Sequence, residues 1–196
     1  MPQPPRFPPA HLEDVPDDIR EAILEVQEKS GFVPNVFLLL ARRPAEFRAF
    51  FAYHDAIMSD GREGSTLTKG DREMIVTRIS GANHCTYCVV AHGALLRIYE
   101  RAPLLADQVA TNHLTADITP RQRAMLDFAH RVNASSHEVG EADFARLDEH
   151  GFDDEDAWDI ASITAFFGLS NRIASVTGLM PNPEFYLMGR VPRQRT

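Results

Sequence analysis

Two cysteines, a histidine and a glutamate form the group of residues in this sequence best suited to do chemistry. Cys85 and Cys88 are the two cysteines of the chain, His92 follows four residues later, and Glu73 precedes Cys85 by twelve. At about 100° per residue, positions 85, 88 and 92 fall on one face of a helix. A thiolate with a second thiol one turn away can reduce an oxidant, form a sulfenic acid and close a disulfide. The spacing therefore predicts a redox dithiol.

The position of each residue along its predicted helix indicates how a thiol could be activated. Cys85 lies in the first turn, where free backbone N–H groups and the positive end of the helix dipole favour a thiolate. A protonated His92 would act in the same direction. Glu73 lies on the preceding helix, and it reaches the pair if the turn at residues 81–84 folds the two helices antiparallel. It would then serve as the terminal proton acceptor.

The same residues leave other interpretations open. A Cys-x-x-Cys in a helical protein can be a pair of small buried core residues. Cys85, Cys88, His92 and His84 are soft zinc ligands, but no second Cys or His pair stands at finger spacing. Haem attachment through Cys-x-x-Cys-His is excluded because Val89 follows Cys88. The scattered histidines are interpreted as surface or hydrogen-bonded residues: His11, His54, His113, His130, His137 and His150.

Length and composition predict one folded domain. The chain has 196 residues, of which 44% are hydrophobic and 24% charged, with a net charge of −8. That balance supports a sizeable core and argues against disorder and against a nucleic-acid partner, which needs a basic surface. No basic segment precedes an apolar run at the N-terminus, and no apolar run approaches a membrane span. We therefore expect no membrane association and a reducing, cytoplasmic location.

Apolar residues at helical spacing, punctuated by Pro and Gly, predict an all-α fold. We expect a proline-rich N-terminal arm over residues 1–15, extended or mobile over Pro2 to Pro9, and a single helical domain over residues 16–190. No run of alternating polarity predicts a strand. The predicted helices follow residues 16–30, 34–42 and 44–58, from Thr68 to near Gly81, from a cap at Asn83 or His84 to Pro103, and 104–110, 120–133, 141–149 and 156–177.

The last long helix has two apolar stripes. One stripe is formed by Trp158, Ala161, Ala165, Leu169 and Ile173, and the other by Ile160, Ile163, Phe167 and Ala174. Two apolar faces require burial on two sides, which either a homo-oligomer or a larger bundle would supply.

The sequence around the cysteines resembles a known family. It is similar to the alkylhydroperoxidase D-like proteins of the carboxymuconolactone decarboxylase superfamily, and most similar to those called peroxidase-related enzymes. The stretches that carry the resemblance are Arg72 to Ile75, Asn83 to Gly93, Gly31 to Phe37, Phe166-Phe167, Asn171-Arg172 and Pro181 to Phe185.

This resemblance implies an all-helical homo-oligomer that reduces hydroperoxides with no metal, haem or other cofactor. By the family pattern, Cys88 becomes the sulfenic acid, Cys85 supplies a proton and then forms the disulfide, and Glu73 and His92 form the proton relay. The reductant would be a thiol or an electron-donor protein. Helix-terminus electrostatics instead favours Cys85 as the more acidic thiol, so the two arguments disagree on which sulfur attacks.

One departure from the family pattern concerns the electron donor. The founding alkylhydroperoxidase D proteins have a histidine before the second cysteine, where this chain has Tyr87. That difference bears on the docking partner more than on the dithiol step. The decarboxylase branch lacks the cysteine pair, so decarboxylation is disfavoured. Three hypotheses follow: a dithiol peroxidase, a thiol–disulfide oxidoreductase without peroxidase activity, or a redox-sensing oligomeric module.

Overall fold

The computed structural model of the protein describes residues 6–59, 61 and 63–190. This part of the chain is helical and contains no β-strand, which confirms the predicted all-α class. None of its helices is long and apolar enough to cross a bilayer. The helices are α1 (Asp17–Ser30), α2 (Asn35–Ala41), α3 (Pro44–Met58), α4 (Lys69–Ala82), α5 (Thr86–Glu100), α6 (Leu105–Asn112), α7 (Pro120–Ser135), α8 (Glu141–Asp148), α9 (Asp154–Thr177) and α10 (Pro183–Leu187).

Capping residues account for most of these boundaries. Thr68 and Asp71 bond reciprocally at the start of α4, as the sequence predicts. α9 begins two residues earlier than expected because the side chain of Asp153 accepts a hydrogen bond from the backbone N–H of Asp156. Gly178 ends α9 with a φ of 67°, a left-handed conformation that glycine adopts without strain. α10 was not predicted, because five residues are too few to show a helical period.

Helix α4 lies at the centre of the molecule and carries Glu73. It packs against α5, α6, α7 and α9. Its fully buried apolar side chains are Met74, Ile75, Val76 and Ile79. Gly81 permits the contact with α6, since a Cβ at that position would collide with the backbone carbonyl of Ala110. Gly70, near the start of α4, lies against Glu100 at the end of α5. The two helices therefore run antiparallel, the arrangement the sequence analysis required.

A second core forms where α1, α2 and α3 pack together. Ile19, Ile23 and Phe47 are buried there, together with Val15 from the segment that precedes α1. The backbone N–H of Ala10 donates to the carbonyl of Leu38 at 2.9 Å. Residues 10–15 thus pack on this core, whereas the first five residues of the expected N-terminal arm lie outside the described residues.

The two stripes of α9 differ in burial. Ile160, Ile163 and Phe167 are buried in the main core. On the other stripe, Trp158 is 65% exposed and Leu169 50% exposed. A single chain thus covers one stripe and leaves much of the other at its surface.

Candidate active site

Cys85 occupies the cap position at the start of α5, which the sequence analysis assigned to Asn83 or His84. That assignment was wrong because His84 adopts a left-handed conformation, with φ of 56°, and the following residue becomes the cap. The backbone N–H of Cys85 donates to the carbonyl of Ser80 at 2.9 Å, which fixes the turn between α4 and α5. Cys85 is therefore held at the positive end of the α5 dipole.

Both cysteines are free thiols, and both are buried, at 1% and 2% exposure for Cys85 and Cys88. A hydrogen bond from the Cys88 thiol lowers the pKa of the Cys85 thiol to about 6, despite the opposing effect of burial. The same hydrogen bond, together with burial, raises the pKa of Cys88. The pair therefore loses its first proton at a pH well below the pKa of an ordinary thiol. The two sulfurs share the proton that remains.

Helix α9 places polar groups beside the two sulfurs. The hydroxyl of Ser170 lies 3.9 Å from the Cys88 sulfur. Asn171 is buried; its Nδ2 donates to Ser80 Oγ at 3.0 Å and its Oδ1 accepts from Asn83 Nδ2 at 3.0 Å. Asn171 also lowers the pKa of both thiols. These roles of Ser170 and Asn171 were not predicted, although polar residues in the apolar face of a buried helix were a usable signal.

The structure brings Glu73 and His92 together across the antiparallel pair α4 and α5. The Nδ1 of His92 lies 2.7 Å from Oε2 of Glu73, and both side chains are largely buried. Because a carboxylate only accepts hydrogen bonds, His92 Nδ1 carries the hydrogen and Nε2 is free to accept a proton. His92 lies one helical turn beyond Cys88, so both side chains project from the same face of α5.

Cys88 and His92 line a half-open cavity of about 490 Å³, and Cys85 is not among its lining residues. Most of the wall is aromatic or aliphatic. Three charged residues at the cavity, Glu25, Lys29 and Asp55, are largely exposed to solvent and so lie at its mouth. The aromatic residues of the wall are Phe37, Phe47, Phe50, Phe51, Tyr87, Phe167 and Phe185.

His54 also lines this cavity, from α3. Its Nδ1 lies 3.0 Å from Oδ1 of Asp55. His54 was predicted to be one of the scattered surface or hydrogen-bonded histidines. It is hydrogen-bonded, but it faces the same space as Cys88, a position that its helical spacing from Phe47, Phe50 and Phe51 indicates in retrospect.

Among the residues considered as zinc ligands, His84 is exposed while both cysteines are buried. Within the described ranges, no group of three or more His, Cys, Asp or Glu side chains is arranged to hold a metal ion. Tyr87, the residue that departs from the founding family pattern, is buried, and its hydroxyl accepts from the backbone N–H of Val36 at 3.3 Å. The Tyr87 side chain therefore connects α5 to α2.

Comparison with known proteins places this site in a family. Residues 44–131 match the model of the carboxymuconolactone decarboxylase family. An uncharacterized peroxidase-related protein from Ralstonia eutropha JMP134, described as an alkylhydroperoxidase AhpD core, is 68% identical, with a TM-score of 0.93 over 98% of this chain and 100% of that one. A peroxidase-related protein from Silicibacter sp. TM1040 is 40% identical, with a TM-score of 0.87 over 96% of this chain and 98% of that one.

A more remote structure shares the fold alone. The debrominase Bmp8, solved with 2,3,4-tribromopyrrole, is 21% identical, with a TM-score of 0.74 over 95% of this chain and 96% of that one. No curated protein shows significant similarity to the chain. On the identity and coverage of its two peroxidase-related relatives, the chain belongs to the carboxymuconolactone decarboxylase superfamily, among its AhpD-like proteins.

Proposed function

We propose that this protein is a dithiol peroxidase that reduces hydroperoxides through Cys88 and Cys85. The observation that carries the proposal is the cavity, which presents Cys88 and His92 to a bound molecule, whereas Cys85 does not line it. A buried thiol at a cavity wall favours a small oxidant over a protein disulfide, which needs an accessible sulfur. The peroxidase-related names of the relatives support the same class.

The first step requires a thiolate on the sulfur that faces the cavity. The low pKa of Cys85 puts the negative charge of the resting pair mainly on that sulfur. Transfer of the Cys88 proton, either along the S–S hydrogen bond to Cys85 or to Nε2 of His92, moves the charge to Cys88. Glu73 stabilises the resulting imidazolium. This proton shift reconciles an acidic Cys85 with attack by Cys88.

The redox steps then follow from ordinary thiol chemistry. The Cys88 thiolate attacks the terminal peroxide oxygen, the O–O bond breaks, and an alcohol leaves once its oxygen is protonated. The Cys85 thiolate next attacks the Cys88 sulfenic sulfur and forms the Cys85–Cys88 disulfide, and the departing hydroxide takes a proton from solvent and leaves as water. An external thiol or electron-donor protein restores the dithiol. A cytoplasmic location would keep the resting thiols reduced.

The test of this function is hydroperoxide consumption with a small dithiol reductant. We expect the reduced protein to consume hydrogen peroxide or cumene hydroperoxide over many turnovers. A thiol–disulfide oxidoreductase would instead reduce a disulfide substrate and leave the peroxide untouched. A redox-sensing module would change its assembly on oxidation with negligible turnover. Either result, or consumption no faster than the reductant alone, would contradict the proposal.

The lowered thiol pKa predicts a distinct pH dependence. Thiolate absorbance should rise with a midpoint near pH 6, and the rate of single-turnover oxidation should rise with it and level off above that pH, because the folded-state pKa is about 6 rather than 9.0. In Cys85→Ala the remaining thiol loses its sulfur partner, so its midpoint should move above pH 6. A wild-type midpoint near the ordinary thiol value would be inconsistent with the sulfur–sulfur hydrogen bond.

We also infer that a second copy of the chain covers the outer α9 face, defined by Trp158, Leu169 and Val176. These side chains are at least half exposed, and the groove beside them, of about 480 Å³, is lined mostly by apolar residues. Light scattering should give a mass above the 22.0 kDa of one chain, and Leu169→Glu should lower it. Leu104→Glu, which alters an exposed leucine outside α9, is the control and should leave the mass unchanged. A monomeric wild type would refute the inference.

A further inference from the structure

A second histidine–carboxylate pair faces the cavity from the wall formed by α3. His54 Nδ1 lies 3.0 Å from Asp55 Oδ1, and both residues line the cavity that holds Cys88 and His92. His54 and His92 pack against the same ring, with centroid distances to Phe167 of 6.4 and 4.7 Å. Two imidazoles from different helices therefore border one small, mostly apolar space.

The protonation state of His54 follows from its surroundings. Burial lowers the pKa of His54, an effect that outweighs the opposing hydrogen bond to Asp55, and the nearby His92 also lowers it. His54 is therefore neutral at neutral pH. Because the Asp55 carboxylate accepts, the hydrogen lies on Nδ1, and Nε2 is the nitrogen left for a bound molecule.

The proposed peroxidase reaction leaves one proton transfer unassigned. When the O–O bond breaks, the departing alkoxide is a strong base, and a mostly apolar cavity stabilises it poorly. The proton taken from the Cys88 thiol is held on Cys85 or on His92 and is needed later to form the sulfenic acid. A second proton-transfer group next to the leaving oxygen would remove this barrier.

We propose that His54 is a catalytic residue that transfers the hydroperoxide's own proton from the attacked oxygen to the leaving oxygen. This inference rests on the proposed peroxidase function. The Cys88 thiolate forms the S–O bond, the O–O electron pair leaves with the alkoxide, and Nε2 takes the hydrogen of the attacked oxygen and delivers a proton to the alkoxide. The products are the alcohol and the Cys88 sulfenate, which becomes the sulfenic acid when the proton held on Cys85 or His92 returns to it. Asp55 is a positioning residue that holds the required tautomer.

The test compares leaving groups of different basicity. His54→Gln should slow single-turnover oxidation of the reduced protein by cumene hydroperoxide about a hundredfold, the lower end of the range for a lost acid–base group. The same variant should slow oxidation by peracetic acid much less, since acetate leaves without needing a proton. Asp55→Asn should act like His54→Gln: it should slow oxidation by cumene hydroperoxide more than oxidation by peracetic acid. The readout is the free thiol content at timed intervals after mixing.

Phe51→Leu is the matched control. Phe51 lines the cavity and packs against the His54 ring, with the two ring centroids 6.2 Å apart, but it transfers no proton. It should change the rates with both oxidants by the same factor. If His54→Gln also slows both oxidants equally, or slows neither, the proton-transfer role is refuted while the peroxidase function stands. A wild-type protein that reacts with neither oxidant would refute both.

Discussion

Cys88→Ser is expected to abolish hydroperoxide consumption, whereas Cys85→Ser is expected to react with one equivalent of peroxide and stop. Cys88 lines the cavity and Cys85 does not, so removal of Cys88 leaves no sulfur within reach of the oxidant. Removal of Cys85 leaves the attacking sulfur but no partner to form the disulfide, so the sulfenic acid should accumulate. Intact mass after one equivalent of peroxide and a sulfenic-acid trap measures both outcomes.

The opposite labelling pattern would contradict the assignment of roles. If Cys88→Ser carries the trapped adduct and Cys85→Ser does not, the acidic thiol at the helix cap is itself the attacking group. Unchanged turnover in both variants would refute the dithiol mechanism. Both cysteines are buried, so circular dichroism and thermal unfolding of each variant must match the wild type before its activity is interpreted.

The parts of the fold that were predictable from sequence are those set by local signals. The Thr68 capping box and the glycine after α9 act within a few residues, so the helices they bound appear at the expected places. The Glu73–His92 contact could also be predicted from the sequence, because only one turn separates α4 from α5. A short connection between two amphipathic segments leaves few arrangements other than an antiparallel pair.

The missed features depend on contacts between distant segments. Ser170 and Asn171 reach the sulfurs only because α9 packs beside α5, more than eighty residues further along the chain. His54 faces Cys88 rather than solvent because α1, α2 and α5 close the cavity around α3. The cap at Cys85 depends on a left-handed histidine, a conformation for which non-glycine residues have little local preference.

Asp159→Ala is expected to lower the free energy of unfolding by about 3–5 kcal/mol, because it leaves the buried Arg72 guanidinium without its carboxylate partner. Arg72 and Asp159 are each 1% exposed and are joined by a hydrogen bond of 2.9 Å between α4 and α9. Arg72 also donates to the Ile57 carbonyl at 2.7 Å, so one side chain connects α3, α4 and α9. It directly precedes Glu73, and a loosened α4 should weaken the Glu73–His92 contact as well. Chemical denaturation measures the loss.

A double variant distinguishes two causes of the lost stability: a buried Arg72 charge left without a partner, or the loss of the attraction between Arg72 and Asp159. If the cost of Asp159→Ala is mainly an uncompensated buried cation, Arg72→Met combined with Asp159→Leu should recover most of the lost stability, since apolar pairs often replace buried ion pairs without loss. Asp18→Ala is the control; it breaks the exposed pair with Arg48 and should leave unfolding nearly unchanged. If Asp159→Ala behaves like this control, the buried pair does not hold α4 against α9. If the double variant is as unstable as the single one, the ion pair itself, rather than the charge it leaves behind, positions the helix that carries Glu73.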